Sequence, residues 1–596
     1  MPVCYKLDDK NVPSESLFIK RDGEPPCRSA CPAGVNAAAY VALIAQGKFE
    51  EALEVIRQRM PFPGICGRIC HHPCETECNR STYDKPVSIA ALKRAAADYG
   101  RRKDNTKLIV EDMLNHSVAV IGSGPAGLTA AYDLRRKGYK VVVFEKENKP
   151  GGMLRAAIPF YRLPEEVVER DINDILDIGI EIKVNTEVGA DVTLRELEMY
   201  FDAILIAAGT QKSAILKLEG IDNEWVYWGL DFLRRAKSEY LPPIGGNVLV
   251  IGGGNVAIDV ARTSFRLGAE RVTLACLEKR EEMPAHPWEI EAAVEEGLKI
   301  LNCLGPKRII GNELGRVVGV EMLKAASVYD EKGKFNPVFV KGSERIIEAD
   351  TVIIAVGQTA DLDFLHSVEG IELSKRRLIK VDEITLETGR SGIFAGGDVV
   401  SGPKSIVEAV NAGHEAAESI HRYLSGKDLK EGRIIQHQVI QAPEGIPIYD
   451  YERQVPQRPE AEVRKEDFRE EKYGLTAEQA VAEARRCLNC GNCFICGEDC
   501  TIHITGGLCP LIRCNKNSSN GPCGGSSAEG WCEIDRNEDC IWQLIYDLLK
   551  KAGRIKNLKE IISTKSWSYL ENTYLKNTAV PLGSVGSGEM LKLVKK

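Results

Sequence analysis

Nineteen cysteines stand in this chain, and their spacing is the first chemistry it offers. Six lie between Cys27 and Cys78, and ten lie between Cys487 and Cys540. In the first group Cys27 and Cys31 are followed by Cys66, Cys70, Cys74 and Cys78, each pair separated by three residues. Thiolates strung so closely can wrap one iron–sulfur cube. In the second group Cys490, Cys493, Cys496 and Cys500 reproduce the C-x2-C-x2-C-x3-C spacing of bacterial ferredoxins. In two-cluster ferredoxins the fourth cysteine serves the other cube. Only one such run is present here, so Cys487 or a downstream cysteine is expected to complete the site. A [4Fe–4S] centre is the expectation for each group, with structural zinc as the alternative.

Composition supports ligands over disulfides. The chain has 596 residues, enough for roughly three to five domains. A net charge of -8 argues against a phosphate-backbone binder, so no nucleic-acid partner is expected. No apolar run reaches about 20 residues, so no membrane span is expected. The N-terminus, MPVCYKLDDKNVPSESLFIK, lacks the charged and apolar regions of a secretory signal. The expected location is therefore cytoplasmic, where thiols stay reduced and clustered cysteines bind metal. Cys4, Cys276 and Cys303 are scattered and read as ordinary small side chains.

The elements that must position these groups follow. Residues 1–105 are Ala-rich and helical, with AAAYVALIAQGKFEEALEVIRQRM reading as two antiparallel helices broken at Gly47. Residues 106–430 alternate β-rich and helical stretches, the pattern of α/β domains. The expected division is 106–240, 241–360 and 361–430, with the middle portion inserted between two halves of the first fold. Residues 431–480 are charged and Pro-dotted and read as a linker arm. Its end, TAEQAVAEARRC, is a short helix opened by Thr476 with Gln479 in the capping-box place, and it delivers Cys487. Residues 481–545 form the second cysteine-rich unit, and 546–596 read as a helix and a loose tail.

Both α/β portions carry dinucleotide fingerprints. After the strand SVAVI comes Gly122-x-Gly124-x-x-Gly127, with Pro125 and Ala126 between. Gly122 permits the tight turn, Gly124 lets the backbone approach a pyrophosphate, and Gly127 lets helix and strand pack closely. Glu145, at the end of the next strand, is placed to bond a ribose hydroxyl. Gly151-Gly152 offer a second close approach, and Asp398 beside Gly396 and Gly397 can bond a flavin's ribityl chain. The second fingerprint is Gly252-x-Gly254-Asn255-Val256-Ala257 after NVLVI. The MPAHPWE stretch, with His286 and Glu289, reads as a lid or as loop packing. No CxxC stands beside Gly151 or near residue 350, so a redox disulfide is unsupported. No side-chain acid or base is expected to be catalytic, because hydride transfer between nicotinamide and flavin needs alignment.

Over residues 25–425 this set resembles the two-dinucleotide-domain flavoprotein disulfide-reductase class. Within it, the chain is most similar to the small (β) subunit of glutamate synthase and the large subunit of NADH-dependent ferredoxin:NADP transhydrogenase. The resemblance implies FAD at Gly122, Gly124, Gly127, Glu145, Gly152, Gly397 and Asp398. It implies NAD(P) on the second fingerprint, with Gly357 in AVGQTAD on the return strand. Where the glutamate synthase family carries paired arginines, this chain has Leu277 and Glu278. A carboxylate there favours NAD(H), while Lys279 and Arg280 keep NADP(H) open. The family's N-terminal domain often holds two [4Fe–4S] clusters. This chain lacks the extra upstream cysteines, so one cluster is expected, and a second would need an unusual ligand or a partner.

The stretch NGPCGG…GWCEI…DCIW resembles the cysteine-rich C-terminal domain associated with methylenetetrahydrofolate reductases of anaerobes. That resemblance implies metal sites, iron–sulfur or zinc, among Cys509, Cys514, Cys523, Cys532 and Cys540, and docking to a larger complex. The expected protein is an NAD(P)H:acceptor oxidoreductase subunit that passes single electrons to ferredoxin, a second flavoprotein or a methylenetetrahydrofolate reductase subunit. The alternatives are a glutamate synthase small subunit and, from another class, a non-catalytic scaffold.

Overall fold

The computed structural model describes residues 24–101, 114–433 apart from 239 and 367, 452–490 apart from 489, and 521–559 apart from 535, 537 and 538, together with positions 439, 505, 510, 514, 516 and 518. The expectations for Cys493, Cys496, Cys500 and Cys509 lie outside the described residues.

The N-terminal domain is a packet of short helices. Helix α1 (Ala37–Ile44) is capped by Asn36, whose side chain accepts the Ala39 N–H at 3.3 Å. The chain reverses at Gly47, with φ +73°, into α2 (Phe49–Arg57). Then α3 (Pro63–Ile69) crosses α4 (Ile89–Tyr99). A Cβ at Gly67 would fall 2.6 Å from the Arg94 Cα, so glycine sets the closeness of that crossing.

The chain next builds β1 (Ser117–Ile121), α5 (Pro125–Arg136), β2 (Lys140–Phe144), β3 (Glu181–Lys183) and β4 (Ala203–Ile206). It then leaves for an inserted unit: β5 (Val226–Trp228), β6 (Asn247–Ile251), α6 (Asn255–Arg266), β7 (Arg271–Ala275), α7 (Pro287–Glu295) and β8 (Lys299–Leu301). An antiparallel excursion, β9 (Leu304–Gly311), β10 (Val317–Tyr329), β11 (Phe335–Phe339) and β12 (Arg345–Glu348), precedes β13 (Thr351–Ile354). Finally β14 (Ile393–Ala395) and α8 (Ile406–Leu424) complete the first fold.

Two five-stranded parallel sheets result, ordered β14-β4-β1-β2-β3 and β5-β13-β6-β7-β8. Parallel sheets are covered on both faces, which is why SVAVI, AILI, NVLVI and TVII read as near-continuous apolar runs. The second sheet includes β5, which precedes residue 241 in the chain.

One apolar core joins the N-terminal helices, one face of the first sheet and α9 (Ala477–Ala484). Thr476 and Gln479 form the capping box of α9, which packs on α1 and α4. The arm that leads to it is held by charge. Glu470 pairs with Arg94 at 2.7 Å and Arg68 at 2.9 Å. Glu471 pairs with the fully buried Arg262, which also meets Glu296 at 2.5 Å. The arm thus clasps the N-terminal domain and the inserted domain together.

Candidate functional site

Two cradles and two groups of thiols make up the site. The first cradle is a cavity of about 500 Å3 lined by Gly122, Ser123, Gly124, Pro125, Ala126, Glu145, Gly152, Gly397 and Asp398. Gly122 has φ +102°, and its Cβ would meet the Ala207 carbonyl oxygen at 2.5 Å. A Cβ at Gly127 would lie 2.0 Å from the Gly122 oxygen, so the α5 packing also needs glycine. At Gly124 a Cβ would meet nothing within 4 Å. That open backbone sits at the N-cap of the twelve-residue α5, where unpaired N–H groups favour phosphate. The buried Glu145 accepts the Ser123 N–H at 3.0 Å and the Glu147 N–H at 2.9 Å, which fixes it on the cavity wall. Burial pushes the Asp398 carboxyl up to about 6, against the Lys404 N–H that it accepts at 3.2 Å. A glycine-lined cradle with an open helix end and two acids on its wall fits FAD.

The second cavity is larger, about 1260 Å3. Gly252, Gly254, Asn255, Val256, Glu278 and Gly357 line it. Ala257, fully buried, packs in the core of the inserted domain instead. A Cβ at Gly253 would stand 2.8 Å from Glu278 Oε2, so the carboxylate lies against the glycine turn. Lys279, the nearest lysine in sequence, is exposed and paired with Glu282 at 3.2 Å. Ile158, Lys404, Ser405 and Ile406 line both cavities, so the two cradles meet there.

The MPAHPWE segment is tied to the second cradle. The His286 N–H donates to Asn255 Oδ1 at 2.9 Å, and the Ala285 N–H donates to the Gly253 oxygen at 3.1 Å. His286 stacks on Trp288 at 4.6 Å and faces His71 at 5.6 Å, while His72 lies 4.5 Å from Trp288. This row of rings joins the inserted domain to the loop between Cys70 and Cys74. His72 adopts φ +42° there, and its N–H donates to Cys70 Sγ at 3.3 Å. Sequence reading missed the two histidines, which carry no spacing signal.

The thiols fall into two neighbourhoods. Cys66, Cys70 and Cys74 are raised first by burial, and each also feels Cys31 and the ammonium of Lys93. Cys27 is raised by burial and then by Cys487, Cys74, Cys490 and Cys78. Cys27, Cys78, Cys487 and Cys490 line one small cavity of about 30 Å3. The structure thus sets Cys487 and Cys490 against the N-terminal domain. Among the described residues no three His, Cys, Asp or Glu side chains converge on a single-ion site. Buried and half-buried thiols in two groups, one lining a shared cavity and the other facing a buried lysine, suit a cubane's donor chemistry.

The remaining cysteines lie apart. Cys514 packs with Ile541 and Trp542 of α10 (Ile541–Lys551). Cys532 forms an isolated bridge with Ser526, Cys540 follows the Trp531–Asp539 bridge, and Cys523 is exposed. Cys276 lines the second cavity, and burial pushes its thiol up to about 12, which makes it inert.

Glycine cradles beside thiol groups define a flavin- and nicotinamide-dependent iron–sulfur oxidoreductase. Comparison with known proteins agrees along most of the chain. Residues 116–413 match the family described as pyridine nucleotide-disulphide oxidoreductase. Residues 19–105 match dihydropyrimidine dehydrogenase domain II, 4Fe–4S cluster, and residues 470–568 match the methylene-tetrahydrofolate reductase C terminal. The β subunit of an NADPH-Fe(3+) oxidoreductase from Geobacter sulfurreducens is 37% identical over 506 residues, covering 78% of this chain and 75% of that one. The β subunit of an NADP(+)-dependent formate dehydrogenase from Moorella thermoacetica is 37% identical, covering 80% and 72%. The glutamate synthase [NADPH] small chain of Azospirillum brasilense is 33% identical, covering 71% and 92%.

The chain belongs to the pyridine nucleotide-disulphide oxidoreductase family. It is an NAD(P)H-dependent oxidoreductase of the kind that uses FAD and [4Fe–4S] clusters, and its relatives are subunits of larger complexes. Among the described residues no helix is long and apolar enough to cross a membrane.

Proposed function

We propose that Cys31, Cys66, Cys70 and Cys74 hold one [4Fe–4S] cluster, and that Cys27, Cys78, Cys487 and Cys490 hold a second. When bound, the cofactors supply hydride transfer between nicotinamide and flavin, and the clusters supply one-electron transfer. The protein's part is placement. The residues shared by the two cradles align the reacting rings, and the glycine turns with their helix ends hold the pyrophosphates. Cys70 lines the larger cavity, while Cys490 opens the C-terminal cysteine-rich segment. The thiol groups therefore run in series from the nucleotide cavity toward that segment, where we place a partner redox subunit. Ferredoxin and a methylenetetrahydrofolate-reductase-type subunit are the partner classes in view. Co-purification from the native host separates them.

The observation that carries this reading is the shared cavity of Cys27, Cys78, Cys487 and Cys490. Its test is the Cys487→Ser/Cys490→Ser double variant, purified anaerobically. The reading requires one cluster's iron and sulfide to be lost while flavin is retained. Full iron in the double variant refutes it.

Glu278 against the glycine turn favours NADH, since a carboxylate there bonds free ribose hydroxyls and repels a 2′-phosphate. The relatives named for NADPH and NADP(+) make this a pointed test: kcat/KM for NADH should exceed that for NADPH.

A further inference from the structure

Lys93 sits on α4 with only 3% of its surface exposed. A buried ammonium normally has a carboxylate partner or loses its charge. Lys93 has no carboxylate partner and no hydrogen bond among the described residues. What faces it is Cys70, Cys66, Cys31 and Cys74. Gly67 lets α3 and α4 cross closely at Arg94, which puts Lys93, next to Arg94 on α4, beside the segment of α3 that carries Cys66 and ends at Cys70. Two carboxylates stand near these groups without forming an ion pair with Lys93. Glu75 is paired with Arg453 at 2.6 Å, and Asp171 accepts the Ile65 N–H at 2.9 Å.

The second thiol group has cations beside it, but they are paired with carboxylates. Arg80 lines its cavity and Arg486 bears on Cys78, but both charges are met: Arg80 pairs with Asp84 at 2.6 Å, and Arg486 with Glu483 at 2.8 Å and Asp84 at 3.0 Å. The two neighbourhoods therefore differ in pairing: Lys93 forms no ion pair beside the first, while Arg80 and Arg486 are paired beside the second, in a dry interior where charge interactions are strong.

We infer that Lys93 is a tuning residue, its positive charge raising the reduction potential of the cluster held by Cys31, Cys66, Cys70 and Cys74 above that of its neighbour. Reduction adds one negative charge to a cluster, so a fixed adjacent cation favours the reduced form. The step involved is exchange of one electron between the two clusters: one is reduced as the other is oxidised, with no proton or further reactant. Lys93 biases where that electron rests, on the side nearer the nucleotide cavity.

The inference rests on the ligand sets proposed above, and the test separates the two. The whole chain carrying Lys93→Met, Lys93→Gln or Lys93→Arg is purified anaerobically. Iron and sulfide are measured, and each cluster's midpoint potential is read by redox titration followed by electron paramagnetic resonance. Lys93→Met, with full iron, should move one cluster to lower potential by at least the equivalent of a tenfold change in its equilibrium, about 59 mV for one electron. The other cluster should move less, and Lys93→Arg should restore the gap. Unmoved potentials in iron-replete Lys93→Met overturn the inference. If the Met variant fails to retain iron, the Gln variant is titrated in its place. Loss of iron from both overturns it too, since the lysine would then be a structural requirement. The ligand reading fails separately, if Cys66→Ser keeps every iron of the wild type.

Discussion

Cys27 and Cys487 are separated by most of the chain and line the same small cavity. The contact is built by α9, which returns the chain to the N-terminal helices and sets Cys487 just past its end. The anchor is Glu483. It accepts the Ser88 N–H at 2.8 Å and the Gln454 N–H at 2.6 Å and pairs with the buried Arg486.

Removing that anchor should therefore be costly. Glu483→Ala strands two N–H groups and takes from the buried Arg486 one of its two carboxylate partners. We expect a loss of about 3–5 kcal/mol, the range for breaking a buried ion pair. Chemical denaturation of the apoprotein measures it; a loss below about 1 kcal/mol would show that α9 is not held this way.

Two glycines of the first turn should separate folding from flavin binding. At Gly124 an added methyl meets open space, so Gly124→Ala should fold normally but bind FAD at least about tenfold more weakly, by about 1.4 kcal/mol. At Gly127 the methyl strikes the Gly122 oxygen, so Gly127→Ala should also lower thermal stability. Flavin titration and melting curves on both variants check the contrast.

Coenzyme choice should turn on one carboxylate. Glu278→Gln removes the repulsion of a 2′-phosphate beside the Gly253 turn. The ratio of kcat/KM for NADPH to that for NADH should rise about tenfold, worth about 1.4 kcal/mol. A ratio that stays fixed would place the ribose elsewhere.

Asp171 should make stability depend on pH. Burial raises its carboxyl to about 6, against the Ile65 N–H that it accepts. Below its unfolded value the folded chain loses nothing. Between that value and about 6 the folded state keeps a proton that the unfolded state has released. Stability therefore falls as pH rises across this window, by up to about 1.4 kcal/mol per unit. Melting temperatures of wild type and Asp171→Asn between these limits should show the slope in the first and a flatter profile in the second.

The strands and glycine turns were legible because their signals are local: an apolar run, a positive-φ turn, a helix start. The α9 capping box was legible for the same reason. The destination of Cys490 was not, because spacing groups it with Cys493 and Cys496, whereas packing sets it beside Cys27. Lys93 was hidden by its type, since a lysine on a helix ordinarily faces water. The arm read as a linker because Arg464, Glu470 and Glu471 are charged. Their partners, Glu295, Arg94 and Arg262, lie in two distant domains that no local pattern connects.

The return of α9 also sets a schedule. At ribosomal elongation rates the interval between making Cys27 and making Cys487 is roughly 20–90 s. Throughout that interval the first helices have emerged while one quartet of thiols is half built. On the ligand set proposed above, a nascent chain released early carries an incomplete receptacle, and insertion of its inorganic core waits for near-complete translation.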